Sequence, residues 1–357
     1  MLKSDPSTSE SPSSQVQQGT PSIPPQFEIA RLITGYAVSQ LVYVASKLGL
    51  AELLKDGPCS VETLSKRTST DKRSLYRIIR GLAAVGVFRE TPDRLFELTD
   101  VGTYLRKDLP GSLGVMAMCS DESYLVWGHL LHTVTTGETA FDHVFGMDRY
   151  QYLRQNRETT SGFHLAMAEL SMQVADALIA AYDFSQVERI VDVDGGNGLL
   201  LKAILKANPN AFGILCDTPY VVDESASCIA CEELEGRYEV VAGSYFEAVP
   251  AGGDLYLLSH VLHNWDDAHC LRILRNCRAA IEPNGKLLIV ELIMPERLEK
   301  SFSAYASVMI DLQMFVMTGG CERTEREFGA LLSAADFKPV NVISTRARES
   351  LIECVPI

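Results

Sequence analysis

The chain has 357 residues and a formal net charge of −14, with 46% hydrophobic and 22% charged residues. This composition is typical of a globular protein, and the length is sufficient for two domains. The acidic balance argues against a nucleic-acid partner, because neutralising phosphates requires clustered Lys and Arg.

Residues 1–25 are rich in Ser, Pro, Gln and Thr and contain almost no large apolar side chains. Such a segment buries too little surface to offset its ordering entropy, so a disordered tail is predicted. A helical pattern then runs from Phe27 to Leu48 and is apolar on more than one face. A helix of this kind is typical of a protein core or a subunit interface.

Residues 26–110 predict a small, mainly helical domain. Ser60 and Asp71 are candidate caps in front of two helices, and Gly86–Phe88 and Leu95–Leu98 flank a turn. Two helices followed by a short hairpin resemble a winged helix.

The rest of the chain divides into a helical connector and an alternating α/β domain. Residues 111–185 predict helices whose methionine-rich stripes are typical of a core but also adapt to flat apolar ligands. Residues 186–357 alternate strands and helices, which indicates a parallel sheet with crossover helices. A helix from Arg323 to Ala335 and an antiparallel pair, Val340–Ile343 with Leu351–Val355, are expected to close this domain. The other strands are predicted near residues 190–193, 212–216, 238–241, 254–259 and 286–292.

No stretch approaches the roughly 18 apolar residues of a membrane helix, so no membrane partner is expected. The amino terminus lacks the apolar core of a secretory signal. Nine cysteines in a chain of this length suit reduced thiols and a cytoplasmic location. Cys228-Ile-Ala-Cys231 lacks a second cysteine pair or a nearby histidine pair. Helix cysteines are therefore favoured over a metal or redox site there, and no metal is expected.

A glycine-rich turn, Asp194-Gly-Gly-Asn-Gly198, follows the first strand of the α/β domain, and Asp217 ends the next strand. Glycines let a backbone approach a ligand closely, and a carboxylate about 20 residues further on can accept hydrogen bonds from ribose hydroxyls. A dinucleotide, S-adenosylmethionine and an ordinary strand–helix turn are all compatible with this segment. The spacing is nearest to the D-x-G-x-G-x-G turn of methyltransferases, with Asp192 and the last two glycines in place and Asp194 replacing the first.

Three polar residues in or near apolar segments are candidates for catalysis. His263 follows a predicted strand, and a histidine can take a proton from a hydroxyl near neutral pH. Glu291 lies within an apolar strand, where a carboxylate is costly unless it is paired or hydrogen-bonded. Glu322 precedes a predicted helix, where the helix dipole favours a carboxylate.

These motifs resemble those of the small-molecule O-methyltransferases, the family that includes plant caffeate-type and bacterial antibiotic-pathway enzymes. The resemblance extends from about residue 27 to the end of the chain, in the family's order and spacing. The matching motifs are Val191-Asp-Val-Asp-Gly-Gly-Asn-Gly198, Cys216-Asp-Thr-Pro219, His263-Asn-Trp-Asp-Asp267, Glu291-Leu-Ile-Met-Pro295 and Gly319-Gly-Cys-Glu-Arg-Thr324.

The resemblance implies a Rossmann-like class I methyltransferase domain with a mixed seven-stranded sheet, joined to an amino-terminal dimerisation domain. His263 would be the general base that deprotonates a substrate hydroxyl, and Glu291 and Glu322 would orient and stabilise its imidazole. The cofactor would be S-adenosyl-L-methionine and the product S-adenosyl-L-homocysteine. The implied cofactor-binding residues are Asp192, Asp194, Gly195, Gly196, Gly198, Asp217, Ser244, Tyr245 and Ser259.

The partners implied by the family are a second copy of the chain, as a homodimer, and a small phenolic substrate. The helices that cover the site in relatives supply most of the predicted substrate-contacting residues. These residues are Trp127, Phe163, Met167, Asn264, Met309, Met314 and Phe315.

Three positions depart from the family. Asp194 stands where glycine is usual, Ser244 replaces a common acidic residue, and the usual lysine near Ser259 is absent. The position of Asp194 leaves a second hypothesis open, a methyltransferase fold with altered or lost methyl transfer. A third hypothesis is a winged-helix, ligand-binding regulator, suggested by the basic residues Lys72, Arg73, Arg77 and Arg80.

Overall fold

The computed structural model describes residues 24–357, except for the side chains at positions 157–165, 169 and 223–227. Nearly all of the tail predicted to be disordered, residues 1–25, therefore lies outside the described residues. Within the described part, no helix has the length and apolar character needed to cross a membrane.

The amino-terminal part combines short helices with a small antiparallel sheet in the order β1-β3-β2. Ser60 accepts a hydrogen bond from the Thr63 amide and Asp71 accepts one from the Ser74 amide, so both predicted helix caps are present. Its elements are α1 (Pro25–Ile33), α2 (Gly35–Lys47), α3 (Leu50–Leu54), β1 (Cys59–Ser60), α4 (Val61–Thr68), α5 (Lys72–Ala84), β2 (Phe88–Glu90), β3 (Leu95–Leu98) and α6 (Asp100–Thr103).

The first predicted helix, Phe27 to Leu48, is wrong as a single element, because it is broken at Thr34 into α1 and α2. The Thr34 hydroxyl donates to the Ala30 carbonyl, and Gly35, a weak helix former, follows. Helix α1 has no buried residue. Its apolar side chains, with that of Tyr36, therefore lie on the surface of the single chain.

A run of helices connects this part to the α/β domain and packs on its helices α13 and α16. Helix α16 of the α/β domain contacts α8, α9 and α10 of the connector. The connecting helices are α7 (Gly114–Met118), α8 (Ser120–Trp127), α9 (Leu130–Thr136), α10 (Ala140–Phe145), α11 (Arg149–Gln155) and α12 (Arg157–Ala181).

The α/β domain contains a mixed sheet of seven strands in the order β11-β12-β8-β7-β4-β5-β6, which confirms the predicted fold class. Strands β4 to β8 are parallel, and β12 pairs antiparallel with both β8 and β11. Its elements are β4 (Arg189–Val193), α13 (Leu199–Ala207), β5 (Phe212–Asp217), α14 (Pro219–Ile229), β6 (Tyr238–Ala242), β7 (Leu255–Ser259), α15 (Asp267–Ala280), β8 (Lys286–Glu291), β9 (Ile293–Met294), α16 (Phe302–Met317), β10 (Arg323–Thr324), α17 (Glu325–Ser333), β11 (Phe337–Ser344) and β12 (Ser350–Pro356).

The helix predicted from Arg323 to Ala335 begins two residues later in the structure, at Glu325. Arg323 and Thr324 instead form β10, which pairs with β9. Thr324 and Glu327 make a capping box, which fixes the start of α17 at Glu325.

Two buried clusters cover the faces of the sheet, one including Val191, Tyr256 and Ile289 and the other Ile190, Leu257 and Leu288. Ligands in sheets of this kind bind beyond the carboxyl ends of the parallel strands. Strands β4, β5, β7 and β8 end at adjacent positions. Two of the three predicted catalytic residues, His263 and Glu291, and most predicted cofactor residues lie at or just after those ends, whereas Glu322 lies between α16 and β10.

Candidate active site

His263 lies in a short 3-10 turn, Leu262–Asn264, just after β7, and only 9% of the residue is exposed. Glu291 is the last residue of the neighbouring strand β8. Its Oε1 accepts hydrogen bonds from the backbone amides of Leu262 at 2.9 Å and His263 at 3.3 Å. These bonds explain why a carboxylate is tolerated in an apolar strand, and they hold the turn that carries the histidine.

The imidazole of His263 faces two carboxylates through the same ring nitrogen. Its Nδ1 is 2.7 Å from Glu322 Oε1 and 3.6 Å from Glu291 Oε2, and both glutamate side chains are completely buried. A hydrogen bond at Nδ1 fixes the ring orientation and leaves Nε2 as the nitrogen for a ligand. The three predicted catalytic residues are thus brought together.

The charge state of this cluster follows from its burial. Burial alone would lower the pKa of His263, but the nearby carboxylates of Glu291 and Glu322 outweigh it and raise that pKa to about 9. Burial raises the pKa of Glu291, and the positive charge of His263 opposes this shift. His263 is therefore a stronger base than a free histidine.

Arg323 was not predicted from the sequence, although it lies in the same motif as Glu322. It is 2% exposed, and its guanidinium donates to the carbonyls of Leu262 at 3.0 Å and Trp265 at 2.9 Å. It also donates to Asp267 Oδ1 at 2.7 Å. Arg323 therefore fixes both sides of the turn that carries His263.

Gly320 is needed for the close approach of this segment to the histidine turn. A Cβ at Gly320 would lie 2.0 Å from the His263 carbonyl oxygen and 2.8 Å from the Trp265 nitrogen. Backbone atoms this close cannot rotate away, so only glycine fits. Asp311 of α16 accepts the Glu322 amide at 2.9 Å and positions the carboxylate from the other side.

The glycine-rich turn leaves β4 with left-handed backbone at three positions, with φ values of 59° at Asp194, 57° at Gly196 and 74° at Gly198. Aspartate tolerates this conformation better than most non-glycine residues. Asp217 Oδ2 accepts the Gly196 amide at 2.9 Å, so the ends of β4 and β5 are tied together.

Three carboxyl groups surround this turn. Asp192 is 1% exposed, and its Oδ2 has no hydrogen-bond partner among the described residues. Burial and the charge of Asp217 raise the pKa of Asp192 to about 7. Burial, followed by the charge of Asp217, also raises the pKa of Asp194, against the effect of a hydrogen bond from the Tyr245 hydroxyl.

Aromatic side chains enclose the same space. Trp265 stacks on Tyr150, with ring centroids 5.1 Å apart and an interplanar angle of 13°. Phe246 meets Trp265 edge to face at 4.8 Å, and the neighbouring Tyr245 is 4% exposed. Tyr150 lies in α11, outside the recognised sequence motifs, so sequence patterns could not identify it.

The other predicted cofactor residues lie at neighbouring strand ends. Ser244 follows β6, and its carbonyl accepts the Glu247 amide. Ser259 ends β7, and its hydroxyl is 3.4 Å from His260 Nδ1. A Cβ at Gly195 would lie 2.7 Å from Asp192 Oδ2, so Gly195 is required for the packing of the turn.

Two of the predicted substrate residues, Trp127 and Phe315, pack on one buried apolar cluster that includes Phe141 and Val316. Trp127 Nε1 donates to Gln313 Oε1 at 2.7 Å, which joins α8 to α16. Gln313 was not predicted, because an amide on an apolar helix carries no motif.

The remaining substrate candidates are partly buried. Met309 and Met314 lie on α16, which contacts the histidine turn, and Met167 lies on α12. The Asn264 side chain donates to the His260 carbonyl at 2.9 Å. The side chain of Phe163 lies outside the described residues.

The catalytic cluster also has the donor types of a metal site. His263, Glu291 and Glu322 offer ligand atoms that all lie within 4.8 Å of one another. The hydrogen bond between His263 and Glu322 accounts for their closest contact without an ion. Chelator treatment distinguishes the two arrangements, because only a metal site would lose activity.

Comparison with known proteins gives matches over nearly the whole chain. Residues 30–108 match the O-methyltransferase dimerisation domain and residues 127–338 match the O-methyltransferase domain. The phenazine O-methyltransferase PhzM of Lysobacter antibioticus is 42% identical over 92% of this chain and 96% of its own. The 3-amino-4-hydroxybenzoate 4-O-methyltransferase of Streptomyces cremeus is 34% identical over 91% of this chain and 88% of its own.

Solved structures show the same similarity. The crystal structure of LaPhzM superposes with a TM-score of 0.88 and 41% identity, covering 94% of this chain and 100% of that chain. The O-methyltransferase NcsB1 from neocarzinostatin biosynthesis superposes with a TM-score of 0.79 and 28% identity, covering 90% and 96% of the two chains. That protein was solved in complex with S-adenosylmethionine and 2-hydroxy-5-methyl naphthoic acid.

Proposed function

Because this chain belongs to the O-methyltransferase family, we propose that it methylates a hydroxyl group of a small aromatic metabolite with His263 as the general base. The observation that carries the proposal is the 2.7 Å contact between His263 Nδ1 and the buried carboxylate of Glu322. A base held by a second group, at the carboxyl edge of a sheet, is the arrangement that general-base catalysis requires.

The residues around the glycine-rich turn fit S-adenosylmethionine. When bound, this cofactor supplies an electrophilic methyl group on a sulfonium ion. Gly195, Gly196 and Gly198 let the backbone approach the amino-acid end, and Asp217, the carboxylate at the end of β5, is the proposed acceptor for the ribose hydroxyls. The unpartnered Oδ2 of Asp192 is a buried acceptor beside the same turn. Trp265, Tyr150 and Phe246 supply apolar faces suited to a flat base.

His263 Nε2 takes the proton of the substrate hydroxyl as its oxygen becomes the nucleophile. The resulting imidazolium is stabilised by Glu322 at Nδ1 and by the charge of Glu291. A pKa of about 9 at His263 lies close to that of a phenol, about 10. Proton transfer between groups of similar pKa is efficient, which favours a phenolic hydroxyl over an aliphatic one.

A flat aromatic acceptor also suits the apolar surface of Trp127, Met309, Met314 and Phe315. Methionine side chains adapt to flat ligands at little cost. Related enzymes are named for aromatic substrates, a phenazine and an aminohydroxybenzoate. We assign residues 111–185, together with α16, to the wall of the substrate pocket.

The protein is proposed to act as a cytoplasmic homodimer. Residues 30–108 match the dimerisation domain of the family, and the apolar residues of α1 are 55–67% exposed in the single chain. A second subunit would cover them.

The test is the formation of S-adenosylhomocysteine with a panel of phenols, aromatic acids and aromatic amines, for wild-type protein and His263→Ala. Methylation of a phenol by wild-type protein, with the product identified by mass spectrometry, and its loss in His263→Ala are expected. Unchanged turnover in His263→Ala would show that His263 is not the general base.

Calorimetric titration with S-adenosylhomocysteine tests the cofactor site separately. Micromolar binding is expected. Binding only after Asp194→Gly would instead favour a family member that has lost methyl transfer, and loss of activity with a chelator would assign a metal to the His263 cluster.

A further inference from the structure

The chain leaves strand β7 through His260, the residue directly after the strand, and then enters the histidine turn, Leu262–Asn264. His260 has a left-handed backbone with a φ of 55°, a conformation that is uncommon outside glycine. Its amide donates to the Val290 carbonyl at 3.1 Å, which extends the pairing of β7 with β8. Its carbonyl accepts the Asn264 side chain at 2.9 Å. The chain therefore changes direction at His260, from the strand into the turn.

The ring of His260 contacts a buried carboxylate of the carboxyl-terminal strand pair. His260 Nε2 lies 3.3 Å from Glu349 Oε1, and the Glu349 side chain is only 10% exposed. A carboxylate with so little contact with water is costly unless it is paired or hydrogen-bonded. An imidazole can donate from Nε2 both in its charged form and in one neutral tautomer, so the contact does not require a particular charge state. The pair joins the end of β7 to the loop before β12.

Antiparallel pairing brings Glu349 to the edge of the sheet where ligands bind. Strand β12 runs against β8, and its first residue, Ser350, pairs with Glu291, the last residue of β8. Glu349 precedes Ser350, so it lies at the carboxyl end of β8. The Thr345 hydroxyl donates to the Glu349 carbonyl at 2.7 Å, which fixes the loop between β11 and β12. The carboxylate is thus presented to His260 by backbone that is itself hydrogen-bonded.

The contacts described above hold the histidine turn and do not reach the residue that leads into it. Glu291 binds two backbone amides of the turn, and Arg323 binds carbonyl groups on both sides of it. A backbone torsion in a sparsely populated region persists only where its surroundings hold it, and such torsions concentrate at active sites. The pair of His260 with Glu349 supplies a side-chain contact that holds this one.

We propose that His260, fixed by Glu349, is a positioning residue that sets the direction in which the chain enters the histidine turn, and thereby the position of His263 Nε2. This inference rests on the proposed role of His263 as the general base. The two imidazole rings are 5.5 Å apart, so a shift at His260 needs to be transmitted over only a short distance. A displacement of about 1 Å at a reacting group can cost about 10²-fold in rate. His260 itself exchanges no proton with the substrate.

Two substitutions remove the pair from either side. His260→Asn tolerates the left-handed backbone, but its side chain is too short to keep the contact with Glu349. Glu349→Ala removes the acceptor, whereas the conservative Glu349→Gln keeps an oxygen that can accept from Nε2. Glu353→Ala is the matched control, because Glu353 lies in β12 itself, its side chain is 13% exposed, and it bonds to Lys286 at the amino end of β8.

The experiment measures initial rates of the full-length variants with S-adenosylmethionine and the phenol that wild-type protein methylates fastest. His260→Asn and Glu349→Ala are expected to lower kcat by about 10–100-fold, with both KM values within about threefold of wild type. Calorimetric titration with S-adenosylhomocysteine should give an unchanged affinity. Glu349→Gln should retain most of kcat. Glu353→Ala should lower the thermal stability and keep the wild-type kcat.

The fluorescence of Trp265 reports on the turn without any turnover. Trp265 directly follows the histidine turn and stacks on Tyr150. The chain has two tryptophans, so Trp127→Phe leaves Trp265 as the only one. In that background, His260→Asn should increase the quenching of Trp265 by acrylamide, because a turn released at its entry exposes the indole. Glu353→Ala should leave the quenching unchanged.

Wild-type kcat in both His260→Asn and Glu349→Ala would overturn the inference and leave the proposed function intact. An equal fall of kcat in Glu353→Ala would do the same, because the effect would then be general damage to the sheet. Should Glu349→Ala fail to fold, His260→Asn alone decides between these outcomes. Unchanged turnover in His263→Ala, or no methylation of any phenol by wild-type protein, would overturn the proposed function and this inference with it.

Discussion

His263 is held between two buried carboxylates that have different tasks. Glu291 bonds to the backbone amides of the turn, whereas Glu322 bonds to the imidazole itself. The first sets where the residue lies and the second sets the orientation of the ring, while the charges of Glu291 and Glu322 together raise the pKa of His263. At the scale of single residues, Glu322 is therefore the group that contacts the proposed base most directly.

The pH profile should reflect the raised pKa of His263. Only the neutral imidazole can accept a proton, so kcat/KM should rise by about tenfold per pH unit and level off near the pKa of about 9. The measurement is the initial rate with a saturating cofactor and a phenolic substrate from neutral pH upward. A profile that is flat across this range would contradict the assignment of the base.

Glu322→Gln should lower the pKa of His263, because it removes the negative charge at Nδ1. The rise in kcat/KM should move to lower pH, and the maximal rate should fall, because the imidazolium loses its partner. His263→Ala should cost about 10²–10⁴-fold in kcat.

Glu325→Gln is the control for Glu322→Gln, since Glu325 is exposed three residues further along the same segment. Its profile should match the wild-type profile. An unchanged profile in Glu322→Gln would show that Glu322 has only a structural role.

At the scale of elements, the segment from Gly319 to β10 connects α16 to the turn that carries His263. It places Glu322 on His263, and Arg323 binds the carbonyls on both sides of the histidine turn. The pairing of β10 with β9 anchors the segment next to the strand that ends in Glu291. The backbone pairing of β10 with β9 therefore fixes the position of Glu322 relative to Glu291.

Gly320→Ala should disrupt this segment. The added methyl would lie 2.0 Å from the His263 carbonyl, so the backbone of one segment must move. A loss of stability of about 1–3 kcal/mol is expected from overpacking, together with a large loss of kcat. Thermal unfolding and turnover of the purified variant provide the measurements.

The matched control is Gly329→Ala in α17, where an added Cβ meets nothing within 4 Å. It should stabilise the helix by up to about 1 kcal/mol and keep full activity. Equal stability of the two variants would contradict the close approach at Gly320.

At the scale of the whole molecule, the surface of α1 is unusually apolar for a single chain. Phe27, Leu32 and Ile33 are 62%, 59% and 67% exposed, and no residue of the helix is buried. A contiguous apolar surface on this scale is typical of an interface. The match of residues 30–108 to a dimerisation domain supports the proposal that a second copy of the chain covers this surface.

Leu32→Glu should weaken the dimer, because it places a charge in the apolar interface. Sedimentation velocity at micromolar concentration should show a dimer for wild-type protein and a larger monomer fraction for the variant. Val340→Glu on β11 is the control, since Val340 is 49% exposed in the carboxyl-terminal strand pair. A wild-type monomer would contradict the proposed homodimer.

The sequence alone determined the order of the elements, the type of sheet and the family. Alternating apolar runs predict most strands within one or two residues, as for 190–193 and β4, because periodicity and end signals are local. The start of β11, predicted at Val340, lies three residues earlier, at Phe337. The glycine-rich turn, His263 and Glu291 were recognisable for the same reason, since each lies at the end of a strand.

Tertiary structure decided the distances and the partners. Glu322 lies 59 positions from His263 along the chain and 2.7 Å from it in space, and only the packing of α16, β9 and β10 produces that contact. Arg323, Tyr150 and Gln313 act through neighbours far away in sequence, so no local pattern identifies them. The break at Thr34 was missed because helical periodicity continues across it. Local interactions select elements, whereas long-range packing sets the geometry and the proton affinities on which the proposed chemistry depends.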